Sequence, residues 1–145
     1  MFGKLFGKKA EAAVQKFSGR TDFLEAVCAA AALIAAADGE IEDNEVKATV
    51  KAVKANKSLA GGFDQAAIET CINKMLERAG GGRVGRMGLW EEIREVAKDA
   101  ELAQGVVLTA LDVAEGDGEI EPEEKVVLDR LAKELSVDLN RLMAA

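Results

Sequence analysis

The sequence predicts an all-α protein, and three observations support that class. The chain has 145 residues, of which 49% are hydrophobic, enough for one domain with a single buried core. Only five Phe and one Trp are aromatic and a single Pro is present, a composition that favours packed helices over β-sandwiches. Apolar residues recur at the helical period in several separate stretches. We therefore expect a compact bundle of about seven helices.

The first half of the chain contains three predicted helices. The first, over 21–37 with Thr21 or Asp22 as its cap, is apolar nearly all round, which is typical of a central helix covered by its neighbours. The second, over 43–56, has a narrow apolar stripe and an outer face rich in lysine. After a glycine break, the third helix over 64–79 has one apolar face and is expected to pack by it.

The second half repeats this order after a glycine-rich stretch. Residues 80–86 are expected to form a flexible linker, followed by a fourth helix over 89–97. An aspartate-capped helix over 100–115 is mostly apolar and mirrors the first helix. Pro122 opens the last long helix, because its fixed φ is helical and its missing N–H is not needed there, and a short turn over 138–143 follows. The whole is predicted to be two pseudo-symmetric helix-loop-helix units.

The cysteines and the few large apolar side chains are expected inside the bundle. Cys28 and Cys71 have no paired spacing, so they are interpreted as separate buried thiols in a reducing compartment and not as a disulfide. Met75, Met87 and Trp90 lie at helical spacing and are predicted to be core residues.

Charge is unevenly distributed along the chain. The formal net charge of −7 argues against a nucleic-acid partner, because neutralising phosphates needs clustered lysine and arginine. Residues 1–20 nevertheless carry five basic groups against one acid, so they are interpreted as a basic amphipathic N-terminal arm that precedes a helical domain over 21–145. The arm is compatible with weak contact with an anionic membrane surface, and the alternative is a loose or core-packed segment.

The pattern Asp-Gly-Glu-Ile-Glu-x-x-Glu occurs twice, at 38–45 and at 117–124, which we name the first and the second acidic segment. It matches the second half of an EF-hand calcium loop, in which Gly permits a sharp turn, Ile packs inward and the last Glu binds the cation. The first half of that loop is missing, since Ile34 and Val113 stand where its leading Asp belongs. These are therefore not ordinary EF-hands.

One acidic segment alone offers fewer oxygen ligands than the roughly six to eight that calcium prefers. We therefore expect the two segments to share one acidic pocket that holds a divalent cation, with calcium as the expected ion. The alternative is that these carboxylates only cap helices, where each contributes about 0.3–1 kcal/mol. The predicted metal ligands are Asp38, Glu42, Glu45, Asp117, Glu121 and Glu124.

At these residues the chain resembles the tellurite-resistance TerB family. The resemblance rests on the alanine-rich stretch that runs into Asp38-Gly39, on its counterpart over 114–125 and on the tail over 131–138. The chain departs from the family pattern at Glu115-Gly116 and at the stretch over 80–86. The resemblance implies an all-helical domain with a metal site at the six carboxylates. It also implies a role in resistance to tellurium oxyanions and other stress, with membrane-associated partners.

Composition makes an enzyme a poor interpretation, since the chain has no His and no Tyr, and its cysteines lie on apolar helices without a base. No apolar run is long enough for a membrane span or a signal peptide, which predicts a cytoplasmic location, the inner membrane surface included. We expect a non-enzymatic divalent-metal-binding module that acts in tellurite or stress resistance through protein partners. The rival functions are a structural adaptor without metal and a metal-dependent hydrolase.

Overall fold

The computed structural model describes residues 20–116 and 118–144, which contain helices, turns and loops but no strand. The helices are α1 (Thr21–Ala35), α2 (Asp43–Lys54), α3 (Lys57–Ala60), α4 (Gln65–Ala79), α5 (Gly82–Arg94), α6 (Ala100–Glu115), α7 (Pro122–Glu134) and α8 (Leu139–Ala144). The predicted all-α class is confirmed, and α3 is a short helix that the sequence did not predict. The pseudo-twofold relation between the two halves stays a prediction.

Helix α1 is the central helix, as its sequence predicted. Every residue from Phe23 to Ile34 except Glu25 is buried. The burial follows from its neighbours, because α1 packs against α4, α5 and α6 and also contacts α2 and α7. A run of alanines over 29–32 presents only small side chains to these neighbours, so their axes can approach closely.

The start of α1 differs from the prediction. Arg20 is the N-cap residue, so Thr21 and Asp22 lie inside the first turn and not at the cap. The Arg20 guanidinium donates two hydrogen bonds to the Asp22 carboxylate, at 3.0 Å from Nε and at 2.8 Å from Nη2. These bonds hold the pKa of Asp22 below its ordinary value.

The N-terminal arm predicted over 1–20 lies, apart from Arg20, outside the described residues. Its amphipathic character and its contact with a membrane surface therefore stay predictions, as does the division into an arm and a domain. Across 20–116 and 118–144, no helix is both long enough and apolar enough to cross a membrane.

The glycine-rich stretch is helical where the sequence predicted a flexible linker. Helix α5 begins at Gly82, whose φ of +75° lies in the left-handed region that favours glycine. A Cβ at Gly85 would lie 1.9 Å from the carbonyl oxygen of Arg78, and a Cβ at Gly88 would lie 2.5 Å from its guanidinium. These glycines therefore allow α4 and α5 to pack closely. A close helix contact and a flexible linker both favour glycine, so the composition of the stretch does not distinguish them.

This close packing decides which side chains of α5 are buried. Because the glycines face α4, Val84 and Met87 point outward and are 83% and 64% exposed, so the predicted core position of Met87 is wrong. Met75 and Trp90 are buried as predicted. The Arg130 guanidinium lies 4.1 Å from the centre of the Trp90 ring, a cation–π contact between α7 and α5.

Helices α1 and α6 pack against each other, and each ends just before an acidic segment. Asp99 caps α6 as predicted, since its Oδ1 accepts hydrogen bonds from the backbone N–H groups of Glu101 and Leu102 at 3.1 and 3.2 Å. The C-terminal ends of the two helices lie at the same end of the bundle, as shown by the one pocket that Ala35 and Val113 both line. The fold thus brings two stretches that are distant in sequence to one place.

Candidate cation site

The two acidic segments contain the same kind of turn. Gly39 and Gly118 have φ values of +94° and +112°, a conformation that residues with side chains avoid. An added Cβ would meet no other group within 4 Å at either position, so the backbone conformation and not crowding selects glycine. Each turn leads to a glutamate with extended backbone at the N-cap, Glu42 for α2 and Glu121 for α7.

The isoleucine of each segment packs inward, as the EF-hand-like pattern predicted. Ile41 and Ile120 are half-buried and lie against the hydrophobic core. Burying this side chain fixes each turn to the bundle, so the helix that follows begins in a defined direction. The shared Gly and Ile of the pattern are therefore explained by the fold alone.

Acids from both segments line one pocket of about 340 Å³. The pocket lies where α1 and α6 end and where α2 and α7 begin. Its lining residues are Ile34, Ala35, Asp38, Glu45, Thr49, Val113, Glu119, Glu121, Glu123 and Glu124. Four of the six predicted metal ligands are thus brought to one cavity, namely Asp38, Glu45, Glu121 and Glu124.

The other two predicted ligands are not found at this pocket. Glu42 is exposed at the N-cap of α2 and is not among the lining residues. Asp117 lies outside the described residues. A role for either carboxylate in binding a cation stays a prediction.

Three polar lining residues were missed by the sequence analysis, namely Thr49, Glu119 and Glu123. Thr49 stands one helical turn after Glu45, so the helical period alone could have placed its buried side chain on the same face. Glu123 gave no such signal, because the matching position of the first segment is Asn44.

Backbone N–H groups already bind two of the pocket carboxylates. Asp38 Oδ1 accepts a hydrogen bond from the Glu40 backbone N–H at 3.0 Å, which closes the turn of the first segment. Glu124 Oε1 accepts one from the Glu121 backbone N–H at 2.8 Å. The second bond is the helix-capping interaction that the alternative prediction requires.

Helix dipoles of both signs meet at the pocket. Helices α1 and α6 direct their negative C-terminal ends towards it, whereas α2 and α7 direct their positive N-terminal ends towards it. Asp112 is exposed and is not a lining residue; partial desolvation and then the Glu115 carboxylate raise its pKa. The charge at the pocket thus comes mainly from its carboxylates, which a bound cation would offset.

The donor atoms suit a hard divalent cation but are not assembled around one. Calcium and magnesium prefer oxygen ligands, and the polar lining consists of carboxylates and the Thr49 hydroxyl. In the part of the chain that the structure describes, no three His, Cys, Asp or Glu side chains are grouped closely enough to hold a metal ion. The carboxylates border the pocket, and a cation would have to draw them inward.

A family model described as tellurite resistance protein TerB matches residues 24–145, which include both acidic segments and the pocket. The chain belongs to the TerB family. The resemblance seen in the sequence is thereby confirmed, and membership of the family suggests a function related to tellurite resistance. No curated protein and no solved structure shows a significant match to the chain. The glycine-rich departure from the TerB pattern coincides with the close approach of α4 and α5.

Proposed function

We propose that this member of the TerB family is a non-enzymatic, cytoplasmic module that binds a divalent cation and acts in tellurite or stress resistance through protein partners. The observation that carries the proposal is the single pocket of about 340 Å³ lined by acids of both segments. Helix capping alone gives no reason for acids from two distant stretches to share a cavity. A cation that needs more oxygen ligands than one segment supplies does give that reason.

The pocket supports calcium as the ion. Calcium accepts a flexible shell of carboxylate, carbonyl and water oxygens, whereas magnesium demands a near-ideal octahedron. Acids that border a cavity without converging suit the more tolerant ion, because water can complete its shell. The proposed ligands are Asp38, Glu42, Glu45, Asp117, Glu121 and Glu124, with Glu119 and Glu123 as further donors at the pocket.

A cation at this place would connect the loop between α1 and α2 to the loop between α6 and α7. Without the cation, the carboxylates of the two loops repel each other. With it, both loops are drawn to one centre, and the positions of α2 and α7 relative to the central α1 are set. We propose the surface formed by these loops and helix starts as the contact for protein partners, membrane-associated ones included.

Calcium titration of the full chain tests the proposal. Isothermal calorimetry should show saturable binding, and the melting temperature should rise with calcium, because a ligand that binds only the folded state stabilises it. At a calcium concentration of 100 times Kd the gain is about 2.7 kcal/mol. The double variant Glu45→Gln with Glu124→Gln should lose both effects. Absence of heat and an unchanged melt at millimolar calcium would refute the cation site.

A matched control is available on α4. Glu77 is exposed, and its replacement Glu77→Gln removes one negative charge away from the pocket. This variant should bind calcium as the unmodified chain does. Equal weakening by Glu77→Gln and by the pocket variants would mean that only the net charge of −7 attracts the cation.

A structural adaptor without metal is the second candidate, and the 2.8 Å bond between the Glu121 N–H and Glu124 favours it. Under this function the acids only stabilise helix starts. Glu45→Gln and Glu124→Gln would then lower the free energy of unfolding by a few tenths of a kcal/mol, with or without calcium. The dependence of the loss on calcium therefore separates the two functions.

We also propose weak membrane contact through the basic arm over 1–20, supported by its excess of basic groups on an otherwise acidic chain. Co-sedimentation with vesicles rich in an anionic phospholipid should be lost when residues 1–9 are deleted. Retained binding after the deletion would assign the contact to another part of the chain.

A further inference from the structure

The two cysteines are neighbours in the fold, although the sequence was interpreted as placing them separately. Cys28 lies on α1 and Cys71 on α4, and α4 is the helix that α1 contacts most extensively. Cys71 Sγ donates a hydrogen bond to the Leu24 carbonyl oxygen at 4.0 Å. Leu24 stands one helical turn before Cys28, so this bond places Sγ beside the Cys28 side chain. The two thiols lie close enough to shift each other's pKa.

The two thiols differ in their access to solvent. Cys28 is completely buried, whereas Cys71 is 9% exposed. Cys71 lines an open hollow of about 520 Å³ together with Glu25, Thr70 and Lys74. A small molecule can therefore reach Cys71 from solvent, whereas Cys28 has no exposed surface of its own.

The charges around the pair favour reaction at Cys71. The interaction with the Cys28 thiol, and then the Lys74 ammonium, lower the pKa of the Cys71 thiol, against burial and the carboxylates of Glu25 and Glu92. The same interaction and burial raise the pKa of Cys28. Cys71 is thus the thiol that more readily gives the nucleophilic thiolate.

We propose that Cys28 and Cys71 form an oxidisable thiol pair, which hydrogen peroxide converts into an intramolecular disulfide between α1 and α4. In the first step the Cys71 thiolate attacks one peroxide oxygen and the O–O bond breaks. Cys71 becomes a sulfenic acid, and the departing hydroxide takes up a proton to form water. In the second step the Cys28 sulfur attacks the Cys71 sulfur, the S–O bond breaks, and the hydroxyl leaves as water with the Cys28 proton. Two thiols and one peroxide thereby give one disulfide and two waters.

The site is separate from the proposed cation site, because the hollow at Cys71 and the acidic pocket share no lining residue. The disulfide would fasten the central helix α1 to α4. Failure of calcium binding would leave this proposal untouched, and failure of the thiol reaction would leave the cation proposal untouched.

Treatment of the reduced full chain with hydrogen peroxide under native conditions tests the proposal. Both free thiols should be lost, and the intact mass should fall by two hydrogens. Non-reducing peptide mapping should join the peptides of Cys28 and Cys71, and dithiothreitol should reverse the change. Added oxygen atoms at Cys71 with Cys28 still reduced would overturn the proposal, as would a disulfide between two chains or two unreacted thiols.

Single substitutions test the order of the two steps. Cys28→Ser should still react at Cys71, and dimedone should trap the sulfenic acid because no second thiol resolves it. Cys71→Ser should lose the reaction with peroxide. Equal reactivity of the two variants would contradict the assigned order. Circular dichroism checks that each variant is folded, and peptide mapping of the unmodified chain decides the proposal if either is not.

Discussion

In the first acidic segment a described side-chain bond closes the turn, and in the second a described side-chain bond holds the helix start. Asp38 Oδ1 accepts from the Glu40 N–H at 3.0 Å. In the second segment Glu124 Oε1 accepts from the Glu121 N–H at 2.8 Å, and Asp117, the counterpart of Asp38, lies outside the described residues. Each bond joins a backbone N–H to a carboxylate that lines the pocket.

The backbone of the two segments is nevertheless alike. Gly39 and Gly118 both have positive φ, and Ile41 and Ile120 both pack against the core. Gly and Ile in the pattern thus serve folding in both segments. What the acids of both segments share is the pocket that they line. A duplicated pattern can therefore combine residues that shape the chain with residues that gather charge at one place.

The largest expected effect tests the shared backbone. Gly39→Ala and Gly118→Ala should each lower the free energy of unfolding by about 1–2 kcal/mol, because a Cβ disfavours the left-handed conformation. Neither Cβ would meet another group within 4 Å, so backbone strain is the whole effect. The two variants should therefore lose the same free energy of unfolding. Urea unfolding of each variant in chelator measures them.

The control for this pair is Gly80→Ala, at a position whose φ of −75° any residue can adopt and where the nearest atom to a Cβ would be the Glu77 carbonyl oxygen at 3.5 Å. Its stability should be close to that of the unmodified chain. A large loss at Gly39 and none at Gly118, or the reverse, would show that the two turns are not equivalent.

The next effect tests the bond that the second segment has at its helix start. Glu124→Ala should cost about 1 kcal/mol in calcium-free buffer, since it removes both a first-turn charge and the acceptor of the Glu121 N–H. Glu123→Ala removes only a first-turn charge of the same helix and should cost a few tenths of a kcal/mol. Equal losses in urea unfolding would mean that the bond contributes nothing to stability.

A smaller effect tests the bond that closes the first turn. Asp38→Ala should cost about 0.5 kcal/mol without calcium, because an exposed hydrogen bond contributes little net stability. Asp38→Asn keeps the acceptor oxygen and should be nearly neutral for stability, yet it should weaken calcium binding. Calorimetry and urea unfolding of the two variants separate the folding role of this side chain from its role at the pocket.

Most of the helices could be predicted from sequence because their signals are local. The apolar period, Asp99 as a cap and Pro122 at a first turn each act within a few residues. The helical start of α5 could not be predicted, since Gly85 is required by the carbonyl of Arg78 on another helix. The contact between the two thiols was missed for the same reason, because neither helix alone encodes which face meets the other.

The candidate site divides in the same way. Four acids of the pocket were predicted because the duplication itself marked them. Glu119 and Glu123 were missed. Glu119 is duplicated, but its counterpart Glu40 does not line the pocket, and Glu123 has no acidic counterpart in the first segment. Repetition identifies equivalent positions, whereas the membership of a pocket depends on how two loops meet in space.

The helices that lead into the two segments also differ, and this difference affects pH dependence. The residue five positions before the first Asp of the segment is Leu33, on α1, for the first segment and Asp112, on α6, for the second. Leu33 is buried, as suits a central helix. Asp112 is exposed but partly desolvated beside the Glu115 carboxylate, so α6 carries a charge where α1 carries a buried apolar side chain.

The smallest expected effect tests this charge. Partial desolvation and then the Glu115 carboxylate raise the pKa of Asp112 above its ordinary value of 3.8. Stability that a raised folded-state pKa contributes is present below the unfolded-state pKa and is lost as pH rises through the folded-state value.

Asp112→Asn stays neutral at every pH, so it should be more stable than the unmodified chain at neutral pH. The advantage should shrink as pH falls towards 3.8. Urea unfolding of both chains across this range measures the difference. An advantage of Asp112→Asn that grows on acidification would mean that the folded chain favours the ionised carboxylate, and that α6 tolerates at this position a charge that α1 excludes.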